Sequence, residues 1–300
     1  MLVSAGVGLE SWRRVACVIA LAVAPAATVA APPAPQGHLL IIGGGPRPPE
    51  LMARVAALAG GPEARVVVIP TASSVPLEVG PENAAELRAA GAGEALALQV
   101  TPEAAREPAT LDALEGVSGV FFSGGDQRRL TTALLDTPLL EAVSEVYREG
   151  GVIAGTSAGA AVMGSLMITG DENPPVPEDE EAFTHIRSDN VVTTPGLGFL
   201  PGVVVDQHFV ARKRLNRLIA VVLEHPDLLG VGIDESTAIL VRPDRTFEVL
   251  GRSQVIVVDA SQATDISVGP EGHLAGHGLA LHVLRAGQRF DLDDRRPLPR

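Results

Sequence analysis

Along most of the chain, short unbroken apolar runs alternate with stretches of helical period. His38-Leu39-Leu40-Ile41-Ile42 is one such run, and it ends in Gly43-Gly44-Gly45. A helical pattern follows over 50–59, and Val66-Val67-Val68-Ile69 then stops at Pro70. Helical sequence returns near 81–90, an apolar stretch spans Ala95 to Val100, and 102–115 reads as helix again. Val120-Phe121-Phe122 runs into Ser123-Gly124-Gly125, and a helical pattern covers 127–149. Val152-Ile153-Ala154 leads into Gly155-Thr156-Ser157-Ala158-Gly159 and a further helix. Continuous apolar strands separated by helices indicate a mostly parallel sheet covered on both faces, an α/β fold. In such sheets ligands bind at the carboxyl ends of strands, which is where the Gly-rich turns fall.

The second half keeps the pattern with interruptions. Residues 170–190 are polar and carry the acidic run 178–181. This run reads as a solvated mobile loop, with a lid beside the site as the alternative; it lacks the regular ligand spacing of a calcium loop. Val203-Val204-Val205 is a strand followed by Asp206-Gln207-His208-Phe209, and a helix is expected from about 211 to 224. Its apolar stripe is Leu215, Leu218, Ile219, Val222 and Leu223. Strands are expected around Asp234-Glu235, at 231–233 and 238–241. From 246 onward short strands and turns imply an antiparallel C-terminal extension, and 291–300 reads as a flexible tail.

The N-terminus stands apart. Arg13-Arg14, the apolar run Val15 to Ala24 and the small residues up to Ala31 follow the order of a secretory signal, with cleavage after Ala30 or Ala31. The run is shorter than the ~20 residues of a membrane span. The expectation is a signal peptide over 1–31, a linker over 32–37, a domain over 38–290 and a periplasmic or extracellular protein free of the membrane after cleavage. The single cysteine, Cys17, lies inside that leader. A disulfide framework, a Cys-rich zinc site and a cysteine nucleophile are thereby excluded from the mature chain. The net charge of -13 argues against a nucleic-acid partner.

Four strand ends carry the chemistry. G-T-S-A-G at 155–159 fits a nucleophile elbow, in which a sharp strand-to-helix turn lifts a serine out of the sheet. A serine needs a base, and among the histidines His208 alone follows directly on a strand at the sheet edge where the elbow lies. The base needs an orienting carboxylate, and Asp234-Glu235 ends the next strand. Successive strand residues face opposite ways, so one of the pair reaches His208 while the other binds substrate or caps the next turn. Gly125, in Gly124-Gly125, and Ala158 can offer backbone N–H groups to an oxyanion. Two other classes stay open. An α/β-hydrolase esterase would take its base from a late histidine such as His273 or His277. A non-catalytic periplasmic binding protein would hold an aspartyl or arginyl ligand without turnover. A nucleotide loop at Gly43-Gly44-Gly45 is a poor match, since no Lys-Ser/Thr follows.

Four segments carry a family resemblance: F-F-S-G-G-D-Q, A-G-T-S-A-G-A-A-V-M, G-L-G-F-L-P-G-V-V-V-D-Q-H-F-V-A-R-K-R-L-N-R-L and G-I-D-E-S-T-A. Together they resemble the cyanophycinases, serine peptidases related to the aspartyl dipeptidase called peptidase E. The likeness covers about 38–258 and is densest from 120 to 240. It implies a three-layer αβα sandwich like the class I glutamine amidotransferases, with serine in place of their cysteine. It implies Ser157 as nucleophile, His208 as base and Glu235 as acid. It also implies Gln127, Asp206, Gln207, Arg212, Arg214 and Arg217 as pocket residues, a homodimer, and no metal or cofactor. The implied substrate is a peptide, cyanophycin or a β-aspartyl peptide. Cyanophycin is a polyaspartate bearing arginine on each side chain, and backbone cleavage releases β-Asp-Arg dipeptides. The export signal turns this expectation toward a secreted scavenging enzyme. Helix phase over 211–224 ranks the arginines: Arg212 and Arg214 turn inward, and Arg217 faces away from the apolar stripe.

Overall fold

The computed structural model describes residues 1–2, 35–177 and 181–299. All but the first two residues of the expected signal peptide and half of the linker, 32–34, therefore lie outside the described residues, as do three of the four acids of the 178–181 run. Residues from Ala34 onward form one compact unit.

The strands are β1 (His38–Ile42), β2 (Arg65–Ile69), β3 (Glu94–Ala97), β4 (Gly119–Phe122), β5 (Val152–Thr156), β6 (Leu166–Glu172), β7 (Val191–Pro195), β8 (Val203–Gln207) and β9 (Leu229–Ile233). They continue with β10 (Thr237–Val241), β11 (Thr246–Gly251), β12 (Gln254–Asp259), β13 (Thr264–Val268), β14 (Leu274–His277), β15 (Ala280–Arg285), β16 (Arg289–Asp291) and β17 (Arg296–Pro297). The helices are α1 (Pro49–Leu58), α2 (Pro76–Ala89), α3 (Pro108–Asp112), α4 (Gln127–Leu134), α5 (Pro138–Arg148), α6 (Ala158–Ala161) and α7 (Leu215–Glu224).

The central sheet runs β17-β16-β11-β10-β1-β5-β4-β2-β3. The β1-β5-β4-β2-β3 half is parallel, as the continuous apolar runs require, and β10, β11, β16 and β17 extend it antiparallel. Alternate residues of the parallel strands feed two cores. Leu40, Ile42, Val66, Val68, Phe121 and Ala154 pack under α1 and α2. Leu39, Ile41, Val67, Val120, Phe122 and Ile153 pack against α4, α5 and α6 on the other face. Each large side chain so buried contributes about 1.5–3 kcal/mol. This is the α/β layering expected from the sequence.

Three details differ from the sequence reading. First, β8 and β9 do not join the central sheet. They pair in parallel inside a second sheet, β15-β12-β9-β8, whose inner face shares the core of α4 to α6. Second, the pattern over 127–149 is two helices, broken where Asp136 takes φ 56° and Thr137 caps α5 by accepting the Leu140 N–H. Third, the segment expected to fray is anchored through 298: Leu292 is buried, β16 and β17 pair, Arg295 binds the Asp259 carboxylate, and the Leu298 N–H donates to the Arg289 carbonyl. The alternating Asp and Arg residues there look solvated in sequence because their partners lie far away along the chain.

Candidate active site

The register of β1 with β5 ends at Ile42 opposite Thr156, and that of β4 with β5 ends at Phe122 opposite Gly155. The turns after these three strands therefore meet at one edge. Ser157 follows Thr156 with φ 54° and ψ −109°, a conformation that L-residues rarely adopt. It is the strained strand-to-helix turn that the G-T-S-A-G pattern predicts. Small residues make it possible: a Cβ on Gly155 would meet the Gly159 carbonyl at 2.3 Å, and one on Gly159 the Phe122 carbonyl at 2.3 Å.

The parallel pairing of β8 with β9 sets Gln207 opposite Ile233, so His208 and Asp234 emerge side by side. His208 Nε2 lies 2.9 Å from Ser157 Oγ, and His208 Nδ1 lies 2.6 Å from Glu235 Oε1. Burial holds the imidazole pKa below its ordinary 6.5, with Arg212 and Arg214 acting in the same direction and Glu235 opposing. The ring is thus held neutral near pH 7, the form in which it can accept a hydroxyl proton.

Asp234 turns the other way. Its Oδ1 accepts the N–H groups of Val210 and Ala211, and its Oδ2 accepts the Ser253 hydroxyl. Burial works to raise its pKa, but these hydrogen bonds outweigh it and hold the carboxyl below the usual range. Of the two alternatives left open by strand alternation, Glu235 reaches His208 and Asp234 caps the next turn. The late histidines lie elsewhere: His273 stands over His185 at 5.6 Å, and His277 is in the β13–β14 hairpin.

Gly124 packs against the serine; a Cβ there would lie 3.3 Å from Ser157 Cβ. Gly125 has φ 140° and passes so close to the Ala72 carbonyl that a Cβ would sit 2.0 Å from it. Among the described residues, the N–H groups of Gly125 and Ala158 donate to no backbone carbonyl.

A cleft of about 490 Å³ is lined by Phe183, Arg212, Lys213, Arg214 and Arg217, the segment that follows His208; Ser157 and His208 themselves do not line it. Here the sequence ranking of the arginines is overturned. Arg217 is the most buried of the three, 3% exposed, and grips Asp206, 1% exposed, through Nε and Nη2. Phe183 lies over its guanidinium at 5.3 Å. Arg212 is exposed at the rim. Two causes act: Arg217 lies inside α7, whose face away from the apolar stripe is also buried, against Asp206 and Phe183, and α7 begins at Leu215 rather than 211, which displaces Arg212. The turn held by Asp234 occupies 209–214, so helix phase cannot be carried back through it. Arg214 lies between, donating to the Gln207 carbonyl and Oε1 at 2.8 and 2.7 Å. Burial, with Arg217 and Arg212 nearby, pulls its pKa down to about 10, so it stays charged at neutral pH.

Asp206 and Gln207 accordingly support the arginines from beneath. Gln127 donates to the Ile168 and Thr169 carbonyls and so braces β6, whose Gly170 lines the cleft. Arg217→Ala would leave the Asp206 carboxylate buried, with Arg214 as its nearest cation at 3.9 Å. We expect it to cost roughly 3–5 kcal/mol in urea unfolding. A loss under about 1 kcal/mol would show that the pair does not hold the fold.

A protein of this layered fold with a serine so placed falls in the class of serine-type peptidases. The chain belongs to peptidase family S51, whose description matches residues 39–249. The cyanophycinase of Nostoc sp. (strain PCC 7120 / SAG 25.82 / UTEX 2576) is 39% identical over 276 residues, 89% of this chain and 90% of that protein. The cyanophycinase of Geminocystis herdmanii (strain PCC 6308) is 35% identical over 271 residues, 88% of this chain and 96% of that protein. A solved peptidase from an acI-B1 Actinobacterium superposes with a TM-score of 0.62 at 23% identity, over 86% of this chain and 98% of its own, a likeness of fold. These relatives displace the esterase and the non-catalytic binding protein. Sequence reasoning missed Ser253, Phe183 and the glycines after β1 as neighbours of the site. The last had a signal, since they end a strand at the same edge as the other three turns.

Proposed function

We propose that the chain cleaves aspartyl peptide backbone bonds of cyanophycin, acting from a chain end, through a Ser157-His208-Glu235 triad and an acyl-enzyme. The observation that carries this reading is the hydrogen-bonded line Ser157 Oγ–His208 Nε2, His208 Nδ1–Glu235 Oε1, at 2.9 and 2.6 Å. His208 Nε2 takes the Oγ proton as Oγ attacks the scissile carbonyl, and Glu235 stabilises the imidazolium. The amides of Gly125 and Ala158 hold the resulting oxyanion. The imidazolium gives its proton to the leaving amine, and water, deprotonated by the same ring, then hydrolyses the ester.

The cationic cleft supports an acidic substrate. Asp206 pairs closely with Arg217 and lies 3.9 Å from Arg214, and Glu181 faces Lys213 at 3.6 Å, so one carboxylate serves two guanidinium groups and positive charge at Arg212 and Arg214 remains for a ligand carboxylate. In an acidic chain this is a local reversal of sign. The leader over 1–31 supports an enzyme working outside the cytoplasm, and the resemblance supports a homodimer. Among the described residues, no helix is long and apolar enough to cross a membrane.

Mass spectrometry of products tests the substrate. We expect β-Asp-Arg dipeptides from cyanophycin. Arg214→Ala should raise KM for aspartate-containing substrates at least about tenfold more than for a neutral ester. Larger products, or equal losses on both substrates, would end this assignment.

A further inference from the structure

The proposed triad is borne by separate parts of the fold. Ser157 follows a strand of the central sheet, His208 a strand of the second sheet, and Glu235 lies in the turn from β9 to β10 that joins the two. Something must hold their spacing to hydrogen-bond accuracy, because a misplacement of about 1 Å can cost 10² in rate. The end of β1 touches all three. The Ile42 carbonyl accepts the Ser157 N–H at 3.0 Å, and the Gly43 carbonyl accepts the His208 N–H at 2.7 Å. The Gly44 carbonyl accepts the N–H of Ser236, the residue after Glu235, at 2.9 Å. Three consecutive carbonyls thus hold one site element each. The residues they hold all have positive φ: 54° at Ser157, 48° at His208 and 54° at Ser236. Such conformations cost about 1–3 kcal/mol each and persist where surrounding contacts over-determine them.

Gly44 and Gly45 also close on the side chains. A Cβ on Gly44 would lie 2.4 Å from His208 Nε2 and 2.5 Å from Cε1. One on Gly45 would lie 2.8 Å from Glu235 Cβ and 2.9 Å from Oε2. Bare backbone therefore stands against the imidazole edge that faces Ser157 and against the carboxylate that faces Nδ1. We infer that Gly44 and Gly45 are positioning residues: with the carbonyls of residues 42–44 they form a rigid wall that sets His208 between Ser157 and Glu235. This inference rests on the triad reading above, and it gives the glycine motif a use that needs no phosphate.

The test uses matched glycines. Gly91 (φ 107°) and Gly116 (φ 68°) match Gly44 (φ 103°) and Gly45 (φ 68°) in φ, and a Cβ on either would meet nothing within 4 Å. Each is replaced by alanine in the full chain, and kcat, KM and thermal unfolding are measured beside Ser157→Ala and His208→Ala. We expect Gly44→Ala to lower kcat about 10²-fold or more with KM changed less than about threefold. Gly45→Ala should lower kcat and move the acidic limb of the kcat/KM profile to lower pH. Glu235 raises the His208 pKa against burial, Arg212 and Arg214, and a displaced carboxylate raises it less. Gly91→Ala and Gly116→Ala should lose only the stability that a positive φ costs an alanine and keep wild-type kcat. If Gly44→Ala does not fold, Gly45→Ala carries the test. Control-like kcat in both, with Ser157→Ala and His208→Ala inactive, sinks the positioning inference alone. An active, folded Ser157→Ala sinks the triad and the inference with it. Unfolding of both site variants while the controls fold assigns the loop to stability and overturns its positioning role.

Discussion

We expect Ser157→Ala to lower kcat by about 10⁶ while the protein stays folded. The size follows from the geometry. Ser157 Oγ is bonded to His208 Nε2, so its removal takes away both the attacking atom and the hydrogen bond that links it to the base. The fold should be indifferent. Alanine bears the strained turn at φ 54° about as well as serine, since both carry a Cβ, and the Ser157 amide keeps its bond to the Ile42 carbonyl. The measurement is kcat on the peptide substrate beside a thermal melt. A folded Ser157→Ala protein within about tenfold of wild-type turnover would remove Ser157 as nucleophile and with it the acyl-enzyme mechanism.

The meeting of Ser157 with His208 was legible in the sequence because both follow continuous apolar runs. Such runs mark buried strands, and strand ends mark the ligand edge of a parallel sheet. What the runs cannot express is which sheet a strand enters. Val203 to Val205 and Val231 to Ile233 have the same unbroken apolar character as Leu39 to Ile42, yet they build the second sheet. Register across sheets depends on the turn after β9 and on the glycines after β1. Arg217 was misplaced because the face of α7 opposite its apolar stripe is buried as well, by the ion pair with Asp206 of β8. Arg212 was misplaced because a helical wheel carries phase backwards only while the helix lasts, and Asp234, distant in sequence, ends it by binding the amides of Val210 and Ala211. Long-range polar contacts of this kind, like that of Arg295 with Asp259, leave no periodic trace.

The two neighbouring carboxylates offer the sharpest division of labour. Glu235→Gln is expected to lower kcat about 10⁴-fold, since an amide that replaces the acid of a triad favours the wrong imidazole tautomer and cannot stabilise the imidazolium. Removing the carboxylate also withdraws the group that raises the His208 pKa. Burial, Arg212 and Arg214 then act unopposed, and the acidic limb of the kcat/KM profile moves to lower pH. Asp234→Asn is a different perturbation. An asparagine Oδ1 still accepts the two amides of Val210 and Ala211, and the Ser253 hydroxyl can rotate to accept from the new Nδ2. The turn that carries Arg212 and Arg214 should persist, with kcat within about tenfold and the larger change in KM. Parallel pH profiles of kcat and kcat/KM for the two variants decide the matter. A larger fall in kcat for Asp234→Asn than for Glu235→Gln would reassign the acid of the triad, and equal falls would mean that the β9–β10 turn acts as a single structural unit.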